Sequence, residues 1–382
     1  MSSSYNPKLS GLFEVLHDRK IPFALYRLPH DTKISLLIQY KSFPDKLNNI
    51  NDLDNEEGFV FAPFPDEIYH DVFLLKPEVN LLLNDITDDS IDTLISELSS
   101  IEHFKAFSVP ECKLEDTTKE QFTDGVSKSV QAIKEKNFFK VILSKIRVED
   151  KPADFNPFRM FLELCNNYSH ALVYYWQLPG IASWMGATPE PVLREKDGKI
   201  YTVSLAGTQL LGDKPLSEVC WREKEIAEQA IVSRFIVQLI DKLGINEMNI
   251  IGPHNFQAGN LVHLNTGFEF DADLLKMPRG TFIAALHPTP SIAGLPRNNA
   301  IKFIQENELH SRSYYAGLLG PYFPEKEIHL FVNLRCMQLF EDKLVLYSGA
   351  GITADSDPEK EWIETDNKMM TLLNVLYVQT GN

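Results

Sequence analysis

Two stretches of this chain bring carboxylates into the same local plan. In each, a strand-like run passes through small residues into a helix-like stretch with two glutamates three apart. The first holds Ile200 to Leu205, then Ala206-Gly207-Thr208, then Glu225 and Glu228. The second holds Leu344 to Tyr347, then Ser348-Gly349-Ala350-Gly351, then Glu361 and Glu364. Residues at i and i+3 project from one side of a helix. Two such faces could hold a hard cation between them. An all-carboxylate donor set suits Mg²⁺, which keeps several waters and takes one or two protein carboxylates plus the substrate. Backbone N–H groups of the small-residue loops could hold an anion beside it. The combination points to a magnesium enzyme acting on a small, multiply anionic substrate. Either helix alone reads more simply as a solvated face with ion pairs, such as Glu364 to Lys368. The repetition of the plan is what brings the metal into play.

Other polar residues stand in apolar company. Lys140 opens Lys140-Val141-Ile142-Leu143-Ser144, where strand alternation could turn it inward. A desolvated lysine has a lowered pKa and can act as a general base; snorkelling at a strand end is the plainer alternative. Glu190 follows Gly186-Ala187-Thr188-Pro189, which reads as a sharp turn between strands. A half-buried carboxyl there could donate a proton, or be an ordinary turn carboxylate. Arg335 falls on an expected strand from Leu330 to Leu339. Its charge calls for a partner, either a ligand carboxylate gripped in two places or a structural salt bridge. His263 and His287 precede apolar or proline residues and read, by themselves, as structural histidines.

Periodicity supplies the elements that must position these groups. Ile34 to Tyr40, Gly58 to Ala62, Phe138 to Val148, Ala171 to Trp176 and Ile181 to Ala187 read as strands. Ser90 to Ile101, Lys119 to Lys136, Pro157 to Asn166, Arg297 to Leu309 and Glu359 to Val378 read as helices. Leu216 to Leu243 reads as one long helix or two. Phe282 to Leu286 is a short segment leading into His287. One hairpin runs from Pro191 to Leu205, turning at Asp197-Gly198. A second runs from Ile328 to Tyr347, turning near Glu341-Asp342-Lys343. Hairpins and long helices alternate without regular βαβ spacing, which predicts an α+β fold with antiparallel sheets flanked by helices. Residues 1–115 show no chemical motif and read as a structural layer or lid.

Bulk properties narrow the function further. The 382 residues suffice for a sizeable core. A formal net charge of −16 argues against nucleic acid and against an anionic membrane surface. An anionic substrate then needs local Arg and Lys. The four cysteines, Cys112, Cys165, Cys220 and Cys336, show no metal or disulfide spacing. Reduced thiols, a polar Met1 to Ser10 and no membrane-length apolar run together predict a cytoplasmic protein. No apolar stripe argues for a strong oligomer, so a monomer or weak homodimer is expected.

Taken in order, the motifs resemble the chorismate-utilising enzyme family, which includes isochorismate, salicylate, anthranilate and aminodeoxychorismate synthases. The matching stretches begin with Lys140 to Ser144, Gly186 to Glu190, Ser204 to Thr208 and Glu223 to Glu228. They continue with Leu261 to Leu264, His287 to Pro290 and Tyr315 to Gly317. Arg335, Gly349 to Ile352 and Asp357 to Glu364 complete the set. The resemblance covers residues from about 120 to 378 and implies one large domain. Residues 1–115 would be its variable N-terminal part and residues 116–382 its catalytic region. Lys140 stands where ammonia-using members carry a non-basic residue, and His287-Pro-Thr-Pro-Ser-Ile-Ala-Gly294 is similar to the isochorismate-synthase form.

The resemblance also implies roles. Mg²⁺, held by Glu228 and Glu364 with Glu225 and Glu361 in support, would bind the ring carboxylate of chorismate. Lys140 would deprotonate the water that attacks C2, and Glu190 would protonate the departing C4 hydroxyl. Arg335, Tyr315 and the amides of Gly349, Ala350 and Gly351 would grip the enolpyruvyl carboxylate. Gly207, Thr208, His263, His287 and Lys368 would complete the substrate pocket. The product would feed menaquinone, siderophore or salicylate biosynthesis. A salicylate synthase, which also eliminates pyruvate, and a catalytically silent chorismate-binding subunit are the alternatives. Lys145, Gln229, Ser313 and Asn333 depart from the family's usual residues.

Overall fold

Burial with a period of two along the central strands divides the apolar side chains between two cores. In the Leu172–Leu178 strand, Tyr174 and Trp176 face one core, while Val173 and Tyr175 face the other. The computed structural model describes residues 7–65, 71–102, 114–212, 214–259 and 261–380. Among them are two nine-stranded sheets in which every pairing is antiparallel.

The first sheet has the Lys140–Asp150 and Lys343–Ile352 strands near one edge. Cys336–Leu339, Ala182–Thr188, Leu172–Leu178 and Phe23–Arg27 follow in spatial order. The second places Asn249–Ala258 at one edge, then Leu261–Asp271, Lys199–Leu210, Pro191–Lys196, Glu327–Val332, Leu318–Phe323 and Gly58–Ala62. Segments before residue 115 enter both sheets. Phe23–Arg27 pairs with Leu172–Leu178, and Gly58–Ala62 with Leu318–Phe323.

Aromatic side chains join the facing sheets. Phe61 of the second meets Trp176 of the first with ring centroids 4.3 Å apart, and Tyr26 meets Phe59 at 5.3 Å. Truncating an aromatic ring in such a core costs about 3–5 kcal/mol, so this seam is a main tie between the sheets. The outer face of the first sheet is covered by the helices Pro7–Asp18, Asp88–Ser99, Pro157–Asn167 and Pro358–Thr380. Their starts follow capping chemistry: Thr87 accepts from Ser90 N, and Asn156 accepts from Arg159 N ahead of Pro157. The Glu223–Lys242 helix lies on the second sheet through Val232, Ile236 and Ile240.

Three expectations about local structure are corrected. The hairpin turning near Glu341-Asp342-Lys343 forms between Cys336–Leu339 and Lys343–Ile352, but it does not extend back to Ile328, because Glu327–Val332 belongs to the second sheet and Cys336–Leu339 to the first. Between them Asn333 accepts from Tyr174 Oη and donates through Nδ2 to Tyr314 O at 2.9 Å, and Arg335 takes φ +48°. Arg335 thus stands at a crossing rather than on a strand. The small-residue loops are also strand: Gly349 to Gly351 pair with Ile142 to Ser144, and Gly207, at φ +72°, is a bulge in Lys199–Leu210. The long helix begins only at Glu223, after a short 3-10 turn at Leu216–Glu218.

Candidate functional site

Glu190 lies where the chain leaves the first sheet for the second, and Arg335 where it crosses back. Hydrogen bonds lock the two crossings together. Val332 N donates to Glu190 O at 2.9 Å, Thr188 Oγ1 to Val332 O at 2.5 Å, and Ala187 N to Arg335 O at 3.1 Å. A cleft opens beside them, with a volume of about 730 Å³ counted out to the solvent at its mouth.

Most residues selected from the sequence line this cleft. Glu190, Gly207, Thr208, Glu228 and His263 form part of its wall; Tyr315, Arg335, Gly349, Gly351, Glu364 and Lys368 form more of it. Lys140 is fully buried directly behind the wall, with Nζ 2.7 Å from Glu228 Oε1. A Cβ placed on Gly351 would stand 2.5 Å from that same oxygen and 3.0 Å from Lys140 Cε. Glycine at 351 therefore lets the Lys140–Glu228 pair approach the strand.

The strand register gives Gly349 and Gly351 a common direction. Gly349 O accepts from Lys368 Nζ at 2.9 Å, away from the neighbouring Lys140–Asp150 strand. Alternation then points the amides of Gly349 and Gly351 to the same open edge. Ala350 points its backbone the other way and its side chain into the core.

Burial sets the electrostatics. It pushes the Glu190 carboxyl up to about 7, against Ser291, which donates to Oε1 at 2.7 Å, and against the charges of Lys140, Lys368 and Arg335. Burial also opposes the charge on Glu228, but Lys140, Lys224 and Lys368 outweigh it and hold that carboxyl below its usual range. His263 is held neutral by burial, Arg335 and Lys368. Arg335 Nη2 donates to His263 Nε2 at 3.3 Å, so Nδ1 carries the proton and donates to Gly207 O at 3.0 Å. Burial brings Arg335 down to about 10, leaving it cationic near neutrality. The site thus places a carboxyl raised to about 7, a buried lysine and a guanidinium around one cleft.

The four glutamates do not converge. Glu228 and Glu364 reach the cleft, whereas Glu225 is held by Arg222 and Glu361 by Lys224 at 2.6 Å. Among the described residues no group of three His, Cys, Asp or Glu side chains is placed to share a metal. Each helix turns one glutamate to the cleft and binds the other to a nearby cation.

His287 does not line the cleft. It ends the Arg279–Leu286 helix with its ring buried, and burial with nearby Arg297 brings its pKa down to about 3. The unusual residues Lys145, Gln229, Ser313 and Asn333 also lie off the wall. Lys145 pairs with Asp366 at 2.6 Å, and Gln229 binds Ser204 at 2.8 Å. Ser291 was missed as a contact of Glu190. Its only signal was its place in the His287 to Gly294 motif.

Comparison with known proteins follows the same line. Residues 74–377 match the family model described as chorismate binding enzyme. Anthranilate synthase component 1 of Acetivibrio thermocellus is 30% identical over 270 residues, covering 68% of this chain and 53% of that protein. The isochorismate synthase MenF of Escherichia coli K12 is 30% identical over 216 residues, covering 54% and 48%. The chain spans about half the length of the curated relatives it matches. A solved structure, the putative 2,3-dihydroxybenzoate-specific isochorismate synthase DhbC of Bacillus anthracis, superposes with a TM-score of 0.75. It is 22% identical, covering 95% of this chain and 99% of that one. The α+β fold with antiparallel sheets is the one these neighbours share.

Proposed function

We propose that this chain, which belongs to the chorismate-binding enzyme family, is an Mg²⁺-dependent isochorismate synthase. The observation that carries the reading is a buried lysine and a carboxyl raised to about 7 at one cleft. A water-adding isomerisation needs a base for the incoming water and an acid for the departing hydroxyl. Lys140 is the base. For this role Lys140 has to be the neutral amine, and its Nζ lies against Glu228, so the ammonium must give up a proton and that contact must open before the nitrogen offers a lone pair to water. Glu190 is the acid, protonated in a large share of molecules near neutral pH. Water adds at C2, the ring double bonds shift, and the C4 hydroxyl leaves with the Glu190 proton. Lys140 and Glu190 then exchange their protons with solvent, and the product is an isomer of the substrate.

The remaining wall grips the carboxylates. Arg335 and the open-edge amides of Gly349 and Gly351 suit the enolpyruvyl carboxylate, with Tyr315 alongside. Glu228 and Glu364 match the one or two carboxylates that Mg²⁺ takes, and the substrate's ring carboxylate would add its own oxygens. The metal would supply positive charge at that carboxylate. Glu225 and Glu361 act from behind, through Arg222 and Lys224.

Purified protein given chorismate and Mg²⁺ should form isochorismate without releasing pyruvate. Salicylate with pyruvate would indicate a salicylate synthase, and chorismate bound but unchanged would indicate a binding subunit. Two further outcomes follow from the geometry. The acid form of Glu190 is lost as pH rises through about 7, so kcat/KM should fall on that alkaline limb. A pH profile that stays flat from 6 to 8.5, roughly the span over which such a group titrates, would remove Glu190 from the acid role. Gly351→Ala should displace Glu228 from Lys140 and lower kcat/KM by about 100-fold, the cost of roughly 1 Å of misplacement. Steady-state kinetics on a variant with an unchanged circular dichroism spectrum checks this.

A further inference from the structure

Among the described residues, the Lys140–Asp150 strand lacks a strand neighbour along part of its outer edge. Gly294–Leu295 pairs only with Val141 and Lys140, and Ala293 O then takes Ile142 N at 2.9 Å. The next groups on that edge are Ile142 O and Ser144 N. Side chains serve them instead: Arg312 Nη2 donates to Ile142 O at 2.7 Å, and Ser144 N donates to Glu308 Oε1 at 2.6 Å. Glu308 and Arg312 also bind each other, Nη2 to Oε1 at 2.6 Å and Nε to Oε2 at 2.8 Å. This buried ion pair continues the ladder where the short strand stops.

The same guanidinium reaches two further parts of the cleft. Nη1 donates to Ile292 O at 3.3 Å, next to Ser291, which holds Glu190. The guanidinium carbon also lies 5.9 Å from the centre of the Tyr315 ring, and the backbone Arg312 O accepts from Tyr315 N at 2.8 Å. Ile142, Ile292 and Tyr315 all line the cleft. The centre of the Phe64 ring lies 4.3 Å from the guanidinium carbon. A planar fork with five donors can serve these acceptors together, and an ammonium cannot.

We propose that Arg312, clasped by Glu308, is a positioning residue that holds the Lys140 strand, the Ser291 segment and Tyr315 in one register. The catalytic part of this inference rests on the isochorismate-synthase reading. The structural part stands on the contacts alone.

The test uses the full chain with Arg312→Lys and Arg312→Met, followed by steady-state kinetics and amide hydrogen exchange. In folded variants, kcat should fall about 100-fold, as for a misplaced catalytic group, with KM little changed. Exchange should quicken in residues 140–145 and 288–293 but not in residues 172–178, which lie across the sheet. Wild-type exchange in the first two segments, or an equal rise throughout the chain, would overturn the clasp. A kcat within about twofold of wild type, too small a change for a positioning effect, would overturn its catalytic consequence. Where loss of Arg312 prevents folding, the near-isosteric Glu308→Gln should show the same exchange pattern at smaller amplitude, and its absence there would overturn the clasp equally. Should the wild-type protein leave chorismate unchanged, the functional reading fails, and the exchange result still judges the clasp.

Discussion

Lys140→Met should abolish conversion of chorismate while leaving a folded protein that still binds it. A positioned general base contributes about 10²–10⁴-fold, and the neighbouring amines are engaged elsewhere: Lys368 with Glu364 at 2.8 Å and with Gly349 O, and Lys224 with Glu361 at 2.6 Å. Removing the lysine also strands Glu228. Breaking a buried pair by deleting one partner costs about 3–5 kcal/mol, because the other charge is left uncompensated. Glu228 borders the open cleft, with 13% of its side chain exposed, so water can meet part of that cost. The double variant Lys140→Met with Glu228→Gln separates the two effects. It should recover thermal stability relative to the single variant and recover no turnover. Turnover in the single variant within tenfold of wild type, below the range for a general base, would dismiss Lys140 as the base.

Glu190→Gln is expected to have the second-largest effect. The amide keeps the shape of the side chain and can still accept from Ser291, so the wall is preserved. It has no proton to give to a departing hydroxide, and kcat should drop by about 10²–10⁴-fold. The residual rate should also lose the alkaline limb near pH 7, since that limb belongs to the carboxyl. Both changes should appear together. A variant that is slow but retains the limb would assign the titration to another group. Substrate affinity should change little, because Arg335 and the Gly349 and Gly351 amides are untouched.

The proposed proton-transfer pair stood out in the sequence because each residue sits in a short, recognisable motif. Lys140 within Lys-Val-Ile-Leu-Ser and Glu190 after Gly-Ala-Thr-Pro both came out buried at the cleft. The hairpins and helices were legible from periodicity, and the Asp197-Gly198 turn lies between the strands expected to flank it. What local pattern could not reveal was which sheet a strand joins. The run from Ile328 to Tyr347 looks continuous, yet the chain changes sheets at Asn333 to Arg335, a choice made by distant partners such as Tyr174. Small residues misled in a related way. Gly349 to Gly351 read as a loop, but in the fold they are strand residues kept small by Tyr315, Glu228 and Lys140. The four glutamates were equivalent by spacing. Only the fold shows that two face the cleft and two face cations on their own or the opposite helix.

Running the reaction in H₂¹⁸O tests the central claim most directly. The account predicts isochorismate that carries one solvent oxygen, located at the C2 hydroxyl, with the C4 hydroxyl of chorismate released to water. Isochorismate without solvent oxygen would mean that the hydroxyl migrates within the molecule, and Lys140 would have no water to activate. Anthranilate formed with ammonia and no isochorismate would contradict the account altogether.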